Sequence, residues 1–422
     1  MTRAIPQFLL AAPMSGSGKT TLARGLMACF VSDGLKVQPF KCGPDYIDTK
    51  FHQAVCRRPS INLDTFMASA DHVASLYSRY CQDADVCVVE GMMGLYDGYD
   101  RDNGSAAEIA RVLRLPVVLV VDARSAAYSM APLLQGFSRF RDDVSIAGVV
   151  FNRVGSSRHE AMLREVCADV GLECFGCVPR CKELEQASRY LGLDFSEIAD
   201  SSHGDLLSLF KPIADAILER LTPIGVPAPP APRQRHGTVV VARNEEAFSF
   251  VYQELLDSFL HVRCFDPERQ RPDFDDCDLL YLPGGYPEKH LEALVAASET
   301  RQAIRDYAER GGRILAECGG MMYLCDRIVT DHGDYPMCGV LPYSISARTA
   351  DRRLSLGYRR FVLDGREYRG HEFHYTQFMG TPPESACQVY NAKGEAVPTP
   401  VIRYRNVLAS YTHLYPNEDD LH

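Results

Sequence analysis

The chain has 422 residues and a formal charge of −10, with 46% hydrophobic and 24% charged residues. At roughly 150 residues per domain this is a folded protein of two or three domains, not a disordered one. The acidic balance and the lack of any Lys/Arg-rich run argue against a nucleic-acid partner, and no apolar run reaches the ~18 residues of a membrane span.

The first apolar stretch, Phe8-Leu9-Leu10-Ala11-Ala12, follows Arg3 in a way that superficially resembles a secretory signal. Pro6 interrupts it, and it runs directly into a glycine-rich loop, so a buried first strand and a cytoplasmic protein are expected. The loop is Ser15-Gly16-Ser17-Gly18-Lys19-Thr20-Thr21, followed by helical sequence. Strand, loop and helix in that order are what a P-loop requires. Gly16 and Gly18 let backbone N–H groups, with those of Ser17 and Thr21, close on phosphate oxygens. Lys19 brings a charge to the terminal phosphates, and Thr20 offers a hydroxyl to magnesium. The fit to Gly-x-x-x-x-Gly-Lys-Thr is incomplete, because its first glycine falls on Pro13.

Two acidic clusters follow, Gly43-Pro44-Asp45-Tyr46-Ile47-Asp48 and Glu90-Gly91-Met92-Met93-Gly94-Leu95-Tyr96-Asp97-Gly98. Glu90 ends the apolar run Val86 to Val89, at the carboxyl edge of a strand where α/β ligands bind. Asp45, Asp48 and Asp97 lie on glycine-flanked loops, where a carboxylate either caps a helix or coordinates a hard cation. As a set with Glu90 they read as partners of magnesium, nucleotide and acceptor. Lys41, Lys50, Arg57 and Arg58 are basic residues suited to an acceptor's carboxylates, although surface ion pairs explain them as well.

Val117 to Val121 and Ile146 to Val150 continue the pattern of strands buried on both faces, with helix-length segments between, which implies a parallel sheet. The fifteen cysteines fit reduced thiols, and Cys174, Cys177 and Cys181, with Cys167 upstream, match no complete metal-ligand spacing. Five prolines between Pro223 and Pro232 can neither continue a helix nor donate to a sheet ladder. The expected organisation is therefore residues 1–222, a linker at 223–237, and a second α/β domain at 238–422. That domain repeats the grammar with Val239 to Ala242, Leu279 to Leu282 and Arg313 to Ala316.

Cys318, in Ala316-Glu317-Cys318-Gly319-Gly320, follows the last of these strands and precedes helical residues, the arrangement of a nucleophile elbow. Gly319 permits the strained turn and offers an N–H to a developing oxyanion, and Gly285 in Leu282-Pro283-Gly284-Gly285-Tyr286 is a second donor. His413 is the candidate base. His371-Glu372-Phe373-His374 lacks the spacing of a zinc helix, so those histidines touch substrate or pack.

With the segments Val37 to Asp48, Asn62 to Met67, Glu90 to Gly98, Leu282 to Glu288, Ala316 to Leu324 and Arg369 to Tyr375, the chain closely resembles the cobyrinate a,c-diamide synthases of cobalamin biosynthesis, over nearly its full length. The resemblance implies a dethiobiotin-synthetase-like P-loop domain followed by a class I glutamine amidotransferase domain of the cobyric-acid-synthase type. It further implies ATP and magnesium as cofactors, and glutamine and a tetrapyrrole polycarboxylate as substrates. A homodimer is among the assemblies it allows. Carried over by position, Cys318 is the nucleophile and His413 its base. Thr20, Asp45, Asp48 and Glu90 serve magnesium, while Lys41, Tyr46 and Asp97 serve the acceptor and its activated intermediate. Standard class I glutaminases carry a glutamate two residues past the histidine, where this chain has Tyr415, and Ala316 replaces a usual glycine. The chain ends nine residues past His413, so the closing C-terminal helix of relatives is expected to be short. Sirohydrochlorin, its nickel derivative and sirohaem are alternative acceptors. A partitioning ATPase of the same nucleotide-binding lineage and a non-catalytic binding protein are alternatives of other classes, opposed by the cysteine elbow and by the intact Lys19, Cys318 and His413.

Overall fold

The computed structural model describes residues 3–181, 204–231 and 237–416. Linker residues 232–236 and the 417–422 segment expected to hold the short closing helix lie outside them. Two compact units divide at Ala231/Pro232, within the proline-rich stretch, and the short segment Phe66–Ala68 groups with the second.

In the first unit strands and helices alternate: β1 (Gln7–Ala11), α1 (Lys19–Ser32), β2 (Val37–Cys42), α2 (Ile47–Cys56), β3 (Ile61–Leu63), α3 (Ala70–Tyr80) and β4 (Val86–Glu90). After them come α4 (Ala106–Leu113), β5 (Val117–Asp122), α5 (Met130–Arg139), β6 (Ile146–Val154), α6 (Ser157–Val170), β7 (Glu173–Pro179) and α7 (Gly204–Arg220). The strands form one seven-stranded sheet in the order β3-β2-β4-β1-β5-β6-β7, parallel throughout. The all-apolar runs are explained by this: β1 and β4 lie inside the sheet and are buried on both faces. Phe8, Leu10, Val88 and Val118 pack with Leu26 and Phe30 of α1 and Phe210 and Ile217 of α7 in one core. The loops after β1 and β4, neighbours in the sheet, open at its carboxyl edge, which is where an α/β sheet presents a ligand.

The second unit opens with β8 (Thr238–Ala242), β9 (His261–Phe265), β10 (Leu279–Leu282) and, after the helix α8 (Ser298–Glu309), β11 (Ile314–Glu317), followed by the short helix α9 (Gly319–Leu324). The hairpin β12 (Ser355–Leu363) and β13 (Arg366–His374), then β14 (Val401–Tyr404), β15 (Val407–Ser410) and β16 (His413–Leu414), complete the parts that matter here. A six-stranded sheet runs β9-β8-β10-β11-β15-β14, parallel except for β14. Much of residues 325–414 folds instead into a mixed four-stranded sheet and an antiparallel five-stranded sheet, a departure from simple α/β alternation. Long hairpins such as β12-β13 need only a tight turn and no crossover helix, so strands follow one another directly there.

Candidate active sites

The P-loop lies between β1 and α1, with Gly18 in the left-handed region at φ 94°. A Cβ on Gly18 would lie 2.1 Å from Asn152 Nδ2, so glycine is required here by backbone and space alike. Asn152 Nδ2 donates to the Ser17 carbonyl at 2.9 Å, and Arg153 Nη1 donates to the Gly16 carbonyl at 2.8 Å while pairing with Asp122. The loop is thus held from the end of β6, a contact that sequence reasoning missed; its signal was the polar pair Asn152-Arg153 closing an apolar strand.

Thr20 Oγ1 donates to Glu90 Oε1 at 2.6 Å, joining the first turn of α1 to the end of β4. Glu90 is completely buried and also meets His52 Nε2 at 2.7 Å and Lys41 Nζ at 3.3 Å. Lys41 lies 2.9 Å from Asp48, and Arg24, stacked 3.6 Å over Phe51, reaches Asp48 at 3.3 Å. Burial pushes the Glu90 carboxyl up, but the Lys41 charge and the His52 and Thr20 hydrogen bonds outweigh it and hold it well below the usual range. Burial and the neighbouring Glu90 charge raise Asp48. Lys41 is only 3% exposed and sits inside this carboxylate cluster, where it acts as counter-ion. His52 and Arg24 were missed in the sequence because nothing in their local pattern marks them.

Asp45 accepts from the Ile47 and Asp48 N–H groups at 2.8 and 2.9 Å, starting α2. Tyr46 is buried beside it. Asp97 accepts from the Gly94 N–H at 2.9 Å and tightens the loop that follows β4. Lys19 donates to the Met93 carbonyl, not to a carboxylate, and burial together with the Lys41 charge lowers its pKa. Among the described residues the Lys19 charge is therefore held without an anion in contact. Lys19, Arg24, Lys41, Asp45, Asp48 and Glu90 line a cavity of about 490 Å³ that also reaches Asn152, Arg153, Pro179 and Cys181, whereas Tyr46 and Asp97 lie outside its lining. Among the other basic candidates, Arg58 is tied to Asp83 at 2.6 and 3.0 Å and to Gln38, and Arg57 ends α2 in a left-handed turn. The cysteines are free thiols.

In the second unit Cys318 stands between β11 and α9 at φ 48°, ψ −108°, a strained conformation for any residue with a Cβ. Its N–H donates to the Ser410 carbonyl at 2.8 Å, and the Gly319 N–H faces its sulfur. A Cβ on Gly319 would come 2.9 Å from the Gly285 carbonyl and 3.1 Å from its nitrogen, and one on Gly284 would come 2.1 Å from Cε1 of His413. The Gly284-Gly285 turn therefore abuts the helix that follows Cys318 on one side and the histidine ring on the other. Gly319 and His413 are thus both brought against the Gly284-Gly285 turn, with Cys318 next to Gly319.

Burial pushes the Cys318 thiol up, with Glu288 adding to the effect, and pushes His413 down to about 3, with His371 and His374 adding to it. Both groups rest uncharged. His371 pairs with His413 in register, while His374 stacks on Tyr411 at 3.6 Å and meets Glu372 at 2.7 Å. Glu372 is saturated by Ser355, Arg359 and Thr399 as well, so it braces the hairpin. Tyr415, two residues past His413, packs against Tyr252 with ring centroids 4.9 Å apart.

Residues 8–191 match the CobQ/CobB/MinD/ParA nucleotide binding domain, and residues 238–420 the CobB/CobQ-like glutamine amidotransferase domain. The hydrogenobyrinate a,c-diamide synthases of Rhizobium meliloti (strain 1021) and Brucella abortus biovar 1 (strain 9-941) are 37% and 38% identical, each over 96% of this chain and 98% of their own length. The chain belongs to the a,c-diamide synthase family. A cobyrinate a,c-diamide synthase from Caldanaerobacter subterraneus subsp. tengcongensis is 35% identical over 96% of this chain and 94% of its own. Family membership makes the chain an amidating ligase of the glutamine amidotransferase type, with a nucleotide-binding domain ahead of the amidotransferase domain. The match over 238–420 is what the partitioning-ATPase alternative lacks. Among the described residues no helix is long and apolar enough to cross a membrane.

Proposed function

We propose that the chain converts the a and c acetate side chains of cobyrinate, or of its metal-free counterpart, to amides in cobalamin biosynthesis, using ATP and ammonia taken from glutamine. The observation that carries this reading is the presence, in one chain of this family, of a charged phosphate pocket and a strained cysteine elbow beside a buried histidine. A carboxylate is a poor electrophile, so it is first phosphorylated; phosphate then leaves as ammonia adds.

In the first unit the loop N–H groups of Gly16 to Thr21 and the Lys19 charge bind the nucleotide phosphates, and Lys19 is available because no carboxylate among the described residues is in contact with it. Thr20, Asp48 and Glu90 offer hard oxygen donors suited to magnesium, and Asp45 is close at hand at the start of α2. Magnesium bound there would offset phosphate charge. Lys41 keeps Asp48 and Glu90 from repelling one another, and Tyr46 and Asp97 shape the loops that face the acceptor.

In the second unit the neutral His413 takes the Cys318 proton as sulfur attacks the glutamine side-chain carbonyl. The Gly319 and Gly285 N–H groups receive the oxyanion, ammonia leaves, and water releases glutamate from the thioester. Ammonia made within the protein is delivered unprotonated, whereas ammonium dominates in neutral water.

The test is to incubate purified protein with magnesium-ATP, glutamine and cobyrinate, hydrogenobyrinate or sirohydrochlorin, and to follow amide formation by mass. Two successive amidations of a corrinoid are expected. Amidation of sirohydrochlorin alone would move the assignment to that acceptor, and no amide on any tetrapyrrole would sink it.

A further inference from the structure

We infer that Glu317, the residue before the nucleophile, is the positioning residue that holds the His413 strand against the cysteine elbow. The inference rests on the reading of Cys318 and His413 as nucleophile and base. Glu317 ends β11 with its side chain on the face of the sheet that carries Leu315 and its register partner Tyr281. Oε1 accepts from the Leu414 N–H at 2.9 Å and Oε2 from the Tyr281 hydroxyl at 2.7 Å. Glu317 is 1% exposed and Tyr281 fully buried.

Strand β16 is only two residues long, His413 and Leu414, and leans on β13 from one side. Tyr415 donates to the Arg369 carbonyl there, so the preceding N–H, that of Leu414, points away from β13. Glu317 supplies its acceptor. Without it this part-buried N–H would be left unpaired at the end of a strand only two residues long. His413 is thereby tied on both flanks to the nucleophile's strand: Ser410 accepts from the Cys318 N–H, and Leu414 donates to Glu317.

The chemistry of the residue supports the same role. No cation pairs with Glu317 among the described residues, and a buried acid without one is disfavoured against an apolar residue of its size unless its hydrogen bonds are needed. Burial pushes its carboxyl up to about 8, so near neutral pH it is chiefly the uncharged acid. A neutral oxygen acceptor is what the Leu414 N–H requires, and glutamine can provide one.

The experiment compares Glu317→Ala, Glu317→Gln and Cys318→Ala in the full chain, assaying glutamate release from glutamine and ATP-dependent amidation of cobyrinate with glutamine or ammonium chloride. Glu317→Ala should lower kcat for glutamine by about 10²-fold, the scale set by misplacing a catalytic group by about 1 Å, with the glutamine KM unchanged within about threefold. The ammonium-supported rate should stay at the wild-type level, and Glu317→Gln should recover most of the lost kcat. Wild-type kcat in Glu317→Ala, a KM rise that accounts for the loss, an equal loss with both nitrogen donors, or a Glu317→Gln as impaired as Glu317→Ala would each overturn the inference. Glutamine turnover persisting in Cys318→Ala would remove the nucleophile assignment and this inference with it, whereas its loss there beside a normal Glu317→Ala would remove only the positioning role.

Discussion

In the first unit Lys41 pairs with Asp48 at 2.9 Å and with Glu90 at 3.3 Å, and Glu90 meets His52 at 2.7 Å. The second unit holds Cys318 and His413 in surroundings that suppress ionisation, the thiol pushed up and the imidazole pushed down to about 3. The two proposed chemistries would account for the difference. Phosphoryl transfer involves charge from start to finish, so the useful protein is one whose opposite charges are fixed beforehand. Glutamine arrives neutral, and a thiolate formed before it binds would cost desolvation energy and react with any electrophile. Keeping the pair neutral until substrate is in place ties proton transfer to attack.

The sharpest break between the two regions is removal of the sulfur. Cys318→Ala should reduce glutamine-supported amidation to background while ammonium chloride still supports it, checked by amide formation with each donor. Equal loss with both donors would give Cys318 a structural role. Lys19→Ala is the reciprocal case. It should lower the rate by about 10³-fold with either donor, because the lost phosphate contact precedes any use of ammonia.

A pH series separates the regions without mutation. His413 stays neutral down to about pH 3, against 6.5 for an ordinary histidine, so acidifying from pH 8 to 6 does not remove the base. The same change protonates external ammonia and cuts its supply about tenfold per pH unit. Titrations in the ATP pocket affect both donors alike and cancel in the ratio. The ratio of glutamine-supported to ammonium-supported rate should therefore keep rising as pH falls to 6 and below; a ratio that levels off below about pH 6.5 would mean that His413 ionises normally. The sign for stability is related: an unfolded histidine binds a proton below about 6.5 and the folded one does not, so the second unit loses stability as pH falls from there towards 3.

Much of both sites was legible because their chemistry sits in consecutive residues. Gly16 to Thr21, Glu90 at a strand end and Cys318 before two glycines each announce backbone geometry through spacing alone. What stayed hidden depends on pairing at long range. His52 matters through Glu90, 38 residues away, Asn152 through Ser17, 135 away, and Glu317 through Leu414, 97 away. The sheets of residues 325–414 were obscured for a related reason: their strands are partly exposed, as in β12 and β13, and lack the continuous apolar runs that marked the parallel sheets.

Arg58 is the weakest lever and probes which of two readings, acceptor contact or surface ion pair, applies to it. Its position after α2, near Lys41 in sequence, suits a contact to acceptor carboxylates, yet its guanidinium grips Asp83 at 2.6 and 3.0 Å, and the Gln38 oxygen takes its Nε. Asp83 is well exposed, and an ion pair of that kind is worth at most about 1 kcal/mol. Arg58→Ala should therefore shift the denaturation midpoint slightly and leave the KM for the tetrapyrrole unchanged. A severalfold rise in that KM with stability intact would return Arg58 to the acceptor site, and would mean that its grip on Asp83 opens when substrate binds.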